Sequence, residues 1–335
     1  MRHALVTGAT GFIGHHLVQR LIAQGTAVKC LVRSQARAVD LSQLDVTLVQ
    51  GDLADVNSLA EAVKDVDVVY HLAGLTKSVG KGDLMKVNGD GTRNLSLACS
   101  QRSRPPILLF VSSLAAAGPS PGVEPRVETD EINPVSSYGR SKRAGELAVI
   151  DSADEVPATI VRPPIVIGEH DRDGFQWFKT IRKLGVHLAP GFEDVHYSMI
   201  HADDLAKALI LAAEQGERVS RDDQDDGGIY YAASDEVMTY SELGHLIGGC
   251  FGRSRTRVVR LPMLMIWGAA LSSDLWARLR KRPTILNVDK AREAAAGAWT
   301  CSAAKLRRHT GFVPSTSIEE RIRQTADWYI DENWL

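Results

Sequence analysis

The sequence has few cysteines and little excess of charge of either sign. It contains 4 cysteines in 335 residues, and Cys30, Cys99, Cys250 and Cys301 are widely spaced, with no CxxC motif and no Cys/His cluster. This spacing argues against a disulfide framework and against a zinc site, so we expect reduced thiols and no metal. The formal net charge of -2 gives no field strong enough to recruit nucleic acid, which we exclude as a partner.

The sequence also lacks an apolar run long enough to cross a bilayer. The most membrane-like stretch, Leu261 to Leu271, is too short, and Pro262 lies near its start. We interpret this stretch as part of a subdomain core or as a helix over a substrate, and we expect no membrane partner. A glycine-rich turn comes too early in the chain for a signal-peptide apolar region to precede it, so we expect a cytoplasmic protein.

What the sequence does have is a regular alternation of short apolar runs with amphipathic stretches, in an ordinary globular composition of 44% hydrophobic and 24% charged residues. Such alternation is typical of an α/β fold with a doubly wound parallel sheet of the Rossmann type, with helices on both faces. The predicted strands are 4–6, 27–32, 46–49, 68–72, 107–111 and 158–161. Helices are expected between them near 58–63, 83–101 and 137–150.

The glycine-rich turn joins the first predicted strand to the first predicted helix. The segment 7–14 reads TGATGFIG, so Gly8, Gly11 and Gly14 fall between strand and helix. A side chain there would block the tight turn, the approach of backbone N–H groups to a pyrophosphate, or the packing of helix against strand. The turn in this context predicts a dinucleotide site.

The alternation breaks down after Pro164. We therefore predict a dinucleotide-binding domain over 1–163 and a mainly substrate-binding subdomain over 164–335, smaller and of mixed α/β structure, with some segments returning to the Rossmann core. Helices in this part are expected near 175–184, 204–214, 241–250 and 318–330. The acidic segment 220–228 is interpreted as a solvated loop.

A second motif places a tyrosine and a lysine on one face of a predicted helix. Tyr138 and Lys142 are four residues apart, and such residues are neighbours on a helix surface. An adjacent ammonium lowers the pKa of a phenol from about 10 toward the range of a general acid/base. Ser113 follows the strand 107–111 at the edge where open α/β sheets bind ligands, and it can hydrogen bond to the same substrate oxygen.

The residue that follows the second predicted strand favours NADP(H). An acidic residue there would accept hydrogen bonds from the ribose of NAD, but the sequence has Arg33, and Arg37 follows soon after. A guanidinium binds a 2′-phosphate, whereas a carboxylate repels it. We therefore expect NADP(H) as the preferred cofactor, with NAD(H) left open.

Taken in this order, the motifs resemble those of the extended short-chain dehydrogenases/reductases, a family that also contains nucleotide-sugar epimerases and dehydratases. The resemblance covers essentially the whole chain and implies that Ser113, Tyr138 and Lys142 form the family's catalytic triad, with Lys142 also holding the nicotinamide ribose. The cofactor contacts implied by the resemblance, together with Arg33, are Gly8, Thr10, Gly11, Phe12, Ile13, Gly14, Asp52, Leu53, Leu72, Ala73, Gly74, Asn88, Tyr138, Lys142 and Pro163.

One departure from the family pattern bears on the substrate. Members that act on nucleotide sugars often have an Arg-Asp pair a few residues before the late Asp-Asp, and that arginine binds a substrate phosphate. The matching pair here is Tyr197 and Ser198. The departure favours the dihydroflavonol-reductase-like and 3β-hydroxysteroid-dehydrogenase-like branch.

The resemblance therefore implies an oxidoreductase that transfers a hydride between NADP(H) and an alcohol or carbonyl group of a small-molecule substrate. Two alternatives stay open: a nucleotide-sugar epimerase or dehydratase with bound NAD, and a non-catalytic cofactor-sensing protein. The presence of both Tyr138 and Lys142 argues against the second. The resemblance also implies a homodimer, formed through the long helices predicted at 83–101 and 137–150.

Overall fold

The computed structural model of the chain describes residues 2–34, 38, 41–80, 82–122, 124–221 and 227–335. Arg37 and residues 222–226 of the acidic segment lie outside the described residues. The described strands are β1 (His3–Thr7), β2 (Ala27–Val32), β3 (Val46–Gln50), β4 (Val68–His71), β5 (Ile107–Val111), β6 (Ala158–Arg162), β7 (Ile165–Ile167), β8 (Val186–Pro190), β9 (His196–His201), β10 (Ile229–Tyr231), β11 (Val237–Thr239) and β12 (Arg257–Leu261).

The described helices are α1 (Phe12–Ala23), α2 (Val56–Ala62), α3 (Asp83–Met85), α4 (Gly91–Ser100), α5 (Leu114–Ala117), α6 (Ser137–Asp151), α7 (Phe175–Leu184), α8 (Ala202–Gln215), α9 (Tyr240–Cys250), α10 (Met263–Arg280), α11 (Val288–Ala295), α12 (Ala304–Thr310) and α13 (Ile318–Asp331). A short 3-10 helix covers Leu41–Gln43, and a π-helical turn, Lys86–Asp90, joins α3 to α4. No described helix is long and apolar enough to span a membrane.

Seven parallel strands form the large sheet, in the order β10-β6-β5-β4-β1-β2-β3. In its register, Val6 of β1 lies opposite Cys30 of β2 on one side and Tyr70 of β4 on the other. Strands β4 and β6 are buried along their whole length, as expected when helices cover both faces. The predicted Rossmann-type doubly wound sheet is confirmed.

The two faces of the large sheet have separate cores, because successive side chains of a strand point to opposite faces. On one face, Val6 belongs to a buried cluster with Leu17 of α1 and Leu209 of α8. On the other face, Leu5 belongs to a cluster with Leu95 of α4 and Val149 of α6. This two-sided burial explains why the strands appear in the sequence as continuous apolar runs.

The second half of the chain builds two smaller sheets. Strand β9 pairs in parallel with β7 and antiparallel with β11, and β8 pairs in parallel with β12. A buried cluster beside the three-stranded sheet includes Phe178, Met199, Ile247 and Tyr329. Two elements of this half join the large sheet, since β10 pairs with β6 and α8 packs against α1.

Candidate active site

The glycine turn after β1 is shaped by contacts that exclude side chains. Gly8 has a φ of +77°, and a Cβ atom on it would lie 2.7 Å from the backbone nitrogen of Ala73. A Cβ atom on Gly14 would lie 2.2 Å from the carbonyl oxygen of Gly8. A larger residue at either position would push α1 or the end of β4 away from the turn.

The start of α1 is suited to bind a phosphate group. Among the described residues no side chain caps the helix at Gly11, and the first turn contains no acidic residue. Thr10 and Gly11 are exposed, while Phe12 and Ile13 are half-buried. The backbone N–H groups and the dipole of a helix start attract an anion, so this turn fits the pyrophosphate of a dinucleotide.

The segment after β4 is held beside the glycine turn by Thr7. The backbone nitrogen of Leu72 donates to the carbonyl oxygen of Thr7 at 3.1 Å, and that of Ala73 donates to the Thr7 hydroxyl at 3.2 Å. The same hydroxyl lies 2.7 Å from Nδ1 of His71, a fully buried residue whose pKa burial lowers to about 3. His71 is therefore a neutral link inside the sheet, a role that the sequence did not indicate.

Asn88 fixes the next residues of this segment. Its side-chain oxygen accepts a hydrogen bond from the Leu75 nitrogen at 2.8 Å, and its amide donates to the Leu75 carbonyl at 2.8 Å and to Oγ of Ser141 at 2.9 Å. A Cβ atom on Gly74 would lie 2.9 Å from the Asn88 side chain. Asn88 lies in the π-helical turn, which interrupts the single helix predicted over 83–101; such turns are frequent at functional sites.

Arg33 and Asp52 follow the next two strands at the same edge of the sheet. Arg33 comes directly after β2, is exposed, and forms no ion pair with any residue that the structure describes. Asp52 comes after β3, and its carboxylate accepts a hydrogen bond from the nitrogen of Ala54 at 2.9 Å. Leu53 is buried, and Asn94 donates to its carbonyl oxygen at 2.8 Å. The sheet order places Arg33 one strand nearer to the glycine turn than Asp52.

Ser113 and Tyr138 come together because α5 and α6 pack very closely. Ser113 begins α5 as its N-cap, and its Oγ accepts a hydrogen bond from the nitrogen of Ala115 at 3.1 Å. Gly139 lies against α5, where a Cβ atom would be only 2.2 Å from the Ala115 carbonyl oxygen. This close packing brings the Ser113 hydroxyl near enough to the phenol of Tyr138 to lower its pKa.

The pKa of Tyr138 differs in direction from the expectation based on the sequence. Burial raises it to about 12, the nearby Ser113 hydroxyl lowers it, and the negative charge of Glu293 raises it further. The spacing of Tyr138 and Lys142 predicted a lowered value. The reason for the difference is that burial disfavours the phenolate more strongly than the neighbouring groups stabilise it.

Lys142 is buried on the same helix as Tyr138. Its Nζ donates a hydrogen bond to the carbonyl oxygen of Val111 at 2.6 Å and lies 4.4 Å from the ring centre of Phe110. Burial lowers the pKa of Lys142 to about 8, and the charge of Glu146 acts against this decrease. The ammonium is thus anchored at the end of β5, on the strand that leads to Ser113.

A buried ion pair supports this part of the site. Glu146 accepts hydrogen bonds from Nε and Nη2 of Arg162 at 2.8 and 2.9 Å, and from Oγ of Ser112 at 2.5 Å. Glu146 and Arg162 are both fully buried. The following residue, Pro163, accepts a hydrogen bond from the Leu114 nitrogen at 2.8 Å. The ends of β5 and β6 and the middle of α6 are therefore joined, and Glu146 was not identified from the sequence.

Helix α11 brings two carboxylates to the start of α6. Oδ2 of Asp289 accepts hydrogen bonds from the backbone nitrogens of Ser137 and Tyr138 at 3.0 and 3.2 Å. Glu293 follows one turn later on α11. Its Oε1 is buried and has no hydrogen-bond partner in the described part of the chain, and its Oε2 forms an ion pair with Lys290 at 2.8 Å. No local pattern in the sequence indicates contacts between segments 151 positions apart.

Two groups of large apolar residues in the second half of the chain lie in different clusters. Phe178 is buried in the cluster beside the three-stranded sheet, and Trp177 packs against the same cluster. Leu261 and Trp267 instead pack around Ile266, beside α11. The pair that replaces the Arg-Asp of nucleotide-sugar enzymes, Tyr197 and Ser198, is buried in β9.

Comparison with known proteins gives the family of the chain. A family model for the NAD dependent epimerase/dehydratase family matches residues 4–224. Over 333 residues the chain is 32% identical to a ceramide reductase of Caulobacter vibrioides, and the alignment covers 98% of this chain and 95% of the relative. Over 342 residues it is 28% identical to sterol demethylase protein B of Methylococcus capsulatus, with 99% of each chain covered.

Solved structures agree on the fold. The UDP-glucose 4-epimerase of Thermotoga maritima, with UDP-glucose, has a TM-score of 0.77 at 20% identity and covers 99% of both chains. At that identity the similarity concerns the fold alone. The family match confirms the resemblance found in the motifs: the chain belongs to the NAD-dependent epimerase/dehydratase family and is an NAD(P)-dependent enzyme.

Proposed function

We propose that the protein is an NADP(H)-dependent oxidoreductase that interconverts an alcohol and a carbonyl group on an apolar substrate. The observation that carries this proposal is the Ser113–Tyr138 hydroxyl pair at the end of β5, with buried Lys142 one helical turn further along α6. These groups lie at the same edge of the sheet as the glycine turn. That turn is suited to bind the pyrophosphate of a dinucleotide.

In this mechanism Tyr138 is the proton donor and acceptor. Burial keeps the Tyr138 phenol protonated near neutral pH, so it carries the proton that the oxygen of a carbonyl group takes up as it is reduced. Ser113 hydrogen bonds to the same oxygen and holds it within reach of the phenol. Lys142 would hold the ribose next to the nicotinamide. When bound, the nicotinamide supplies or accepts the hydride.

An apolar substrate is supported by two observations. The positions at which nucleotide-sugar enzymes of the family have an arginine for a phosphate are Tyr197 and Ser198, buried within β9. Two relatives that cover almost the whole chain are named for ceramide and for sterol. We assign the substrate contacts mainly to residues 164–335, of which α11 already reaches Tyr138.

The preference for NADP(H) is supported by Arg33. Its exposed guanidinium directly follows β2, where NAD-binding members of this fold carry a ribose-binding acid. A 2′-phosphate would accept charge-assisted hydrogen bonds from it.

A homodimer is supported by the outward faces of α4 and α6. These helices pack side by side, and each presents an exposed leucine, Leu97 and Leu147. Sedimentation equilibrium of the parent protein and of Leu147→Arg tests this assembly. A parent protein that stays monomeric at every concentration would contradict it.

The function is tested by assaying the purified chain with NADPH and with NADH against long-chain ketones, sterol ketones and the corresponding alcohols. We expect turnover of an apolar ketone with a preference for NADPH, abolished in Tyr138→Phe. Release of tightly held NAD on denaturation, with turnover of a nucleotide sugar and no net change in NAD(P)H, would instead identify an epimerase. Parental turnover in Tyr138→Phe would overturn the mechanism.

A further inference from the structure

The outward face of α10 is apolar along almost its whole length. Leu264 is 84% exposed and Leu279 is 72% exposed. The exposed large apolar side chains of this helix are Leu264, Met265, Leu271, Leu275, Trp276 and Leu279. Their spacing places them on one side of the helix, because residues three, four and seven apart share a face. We call this surface the α10 apolar face.

The opposite side of α10 already has a partner. Ile266 and Ala270 are buried with Ala291 of α11. The helix is therefore apolar on both sides, but only one side is covered by the described part of the chain. Residues 263–273 contain no charged residue, so the uncovered side has no ionic group to make it a favourable surface in water.

A cluster of positive charge follows the α10 apolar face. Arg278, Arg280, Lys281 and Arg282 are all exposed, and no acidic residue occurs between Asp274 and Asp289. The guanidinium of Arg280 lies 4.2 Å from the ring centre of Trp276. An apolar helix face with an aromatic residue and a cationic border matches the interface of a bilayer with anionic headgroups.

We propose that α10 docks the protein on an anionic lipid bilayer, with the helix lying in the interface and not crossing the membrane. The sequence-based expectation of no membrane partner considered only a spanning segment, for which residues 261–271 are too short. A second copy of the chain fits this face less well. Antiparallel pairing of two such helices would place the cations of one opposite the first turn of the other, which contains no acidic residue.

The position of α10 gives the docking a consequence for the site. A cleft between α10 and the segment after β4 is lined by residues that include Ser78, Val79, Asp274 and Asn287. Helix α11, which packs against α10, caps the start of α6 through Asp289. Docking would therefore place the bilayer against the helix pair whose inner member contacts the start of α6, the helix that carries Tyr138. The proposal itself concerns binding and stands apart from the proposed reaction.

Vesicle co-sedimentation of the full chain tests the proposal. The probes are vesicles of phosphatidylcholine alone and vesicles that also contain phosphatidylglycerol. We expect binding to the anionic vesicles and at least about tenfold weaker binding by Leu275→Glu/Leu279→Glu, because two apolar side chains no longer enter the interface. Replacing Arg280, Lys281 and Arg282 by glutamine should weaken anionic binding by about a hundredfold.

A charge-matched control separates this face from a general effect of added acid. Val313→Glu/Ile330→Glu changes two exposed apolar residues elsewhere and should bind vesicles as the parent does. Thermal melts of each variant exclude unfolding as the cause. Failure of the parent to bind anionic vesicles, or parental binding by Leu275→Glu/Leu279→Glu, would overturn the proposal. A third outcome would also overturn the proposal: the parent does not bind vesicles, and Leu275→Glu/Leu279→Glu changes the oligomeric state. That result would assign the α10 apolar face to a second copy of the chain.

Discussion

Replacing Glu146 by glutamine should destabilise the protein strongly while leaving its shape nearly unchanged. The Glu146 carboxylate accepts two hydrogen bonds from Arg162 at 2.8 and 2.9 Å, and both side chains are fully buried. The variant would leave the Arg162 guanidinium buried without its counter-charge. Removing one partner of a buried ion pair costs about 3–5 kcal/mol, which corresponds to a fall in Tm of roughly 4–7 °C for a chain of this size.

The pH dependence of stability should have a defined sign. Burial would raise the pKa of Glu146, but the charge of Arg162 and the hydrogen bonds hold it below its usual value. A carboxyl whose pKa is lower in the folded state stabilises the fold above its unfolded pKa of about 4.3. That contribution is lost as the pH falls through the folded pKa, and Glu146→Gln should lack this part of the acid transition.

The same substitution should also change the chemistry. Glu146 raises the pKa of Lys142, which burial lowers to about 8. Without the carboxylate, Lys142 should lose its proton at a lower pH, and the alkaline limb of the pH profile of kcat should move in the same direction. Loss of packing alone would not move that limb.

Chemical denaturation and calorimetry of three variants would test this reasoning. The control is Glu61→Gln, which breaks the exposed pair with Lys64 and should change stability by no more than about 1 kcal/mol. Glu146→Leu/Arg162→Met should be less destabilised than Glu146→Gln, because no uncompensated charge remains. A loss below about 1 kcal/mol in Glu146→Gln would refute the argument.

The remaining predictions concern the site itself. Tyr138→Phe should lower single-turnover reduction by about 10²–10⁴-fold with cofactor affinity unchanged by titration, and Ser113→Ala should have a smaller effect of the same kind; equal effects would contradict the roles given to them. Lys142→Ala should weaken both turnover and cofactor binding. Arg33→Asp should weaken NADPH binding by about one to two powers of ten, because a charge-assisted contact contributes about 1.5–3 kcal/mol. Equal affinities of the parent protein for NADPH and NADH would contradict the preference for NADP(H). Asp289→Ala should lower the free energy of unfolding by about 1 kcal/mol and lower kcat without changing the Kd of NADPH, and an unchanged kcat would exclude a positioning role.

The sheet and the glycine turn could be predicted because their signals are local. Strand burial on both faces produces continuous apolar runs, and the contacts of Gly8 and Gly14 arise within one strand-turn-helix unit and its neighbour β4. The shared face of Tyr138 and Lys142 follows from helix geometry in the same way. The π-helical turn at Asn88 has no comparable signal, since its apolar pattern is that of an uninterrupted helix.

Two other features depend on depth and on distant contacts, which spacing does not report. The spacing of Tyr138 and Lys142 shows that they are neighbours, but the direction of the Tyr138 pKa is set by how deeply α5 and α6 bury the phenol. The apolar pattern of residues 261–271 likewise predicts a segment that is part of a subdomain core or lies over a substrate. A helix that is apolar on both sides gives the same pattern whether one side or both sides are covered, and only packing against α11 distinguishes them.

The hairpin of α10 and α11 links features that otherwise belong to separate halves of the chain. Its outer surface is the α10 apolar face, and its inner helix holds Asp289 against the first nitrogens of α6. The same helix places the charge of Glu293 near the Tyr138 phenol, where it raises the pKa. A displacement of α11 would remove a cap from α6 and, at the same time, a negative charge from the surroundings of the Tyr138 phenol. The second half of the chain therefore influences both the position and the acidity of Tyr138, which the first half provides.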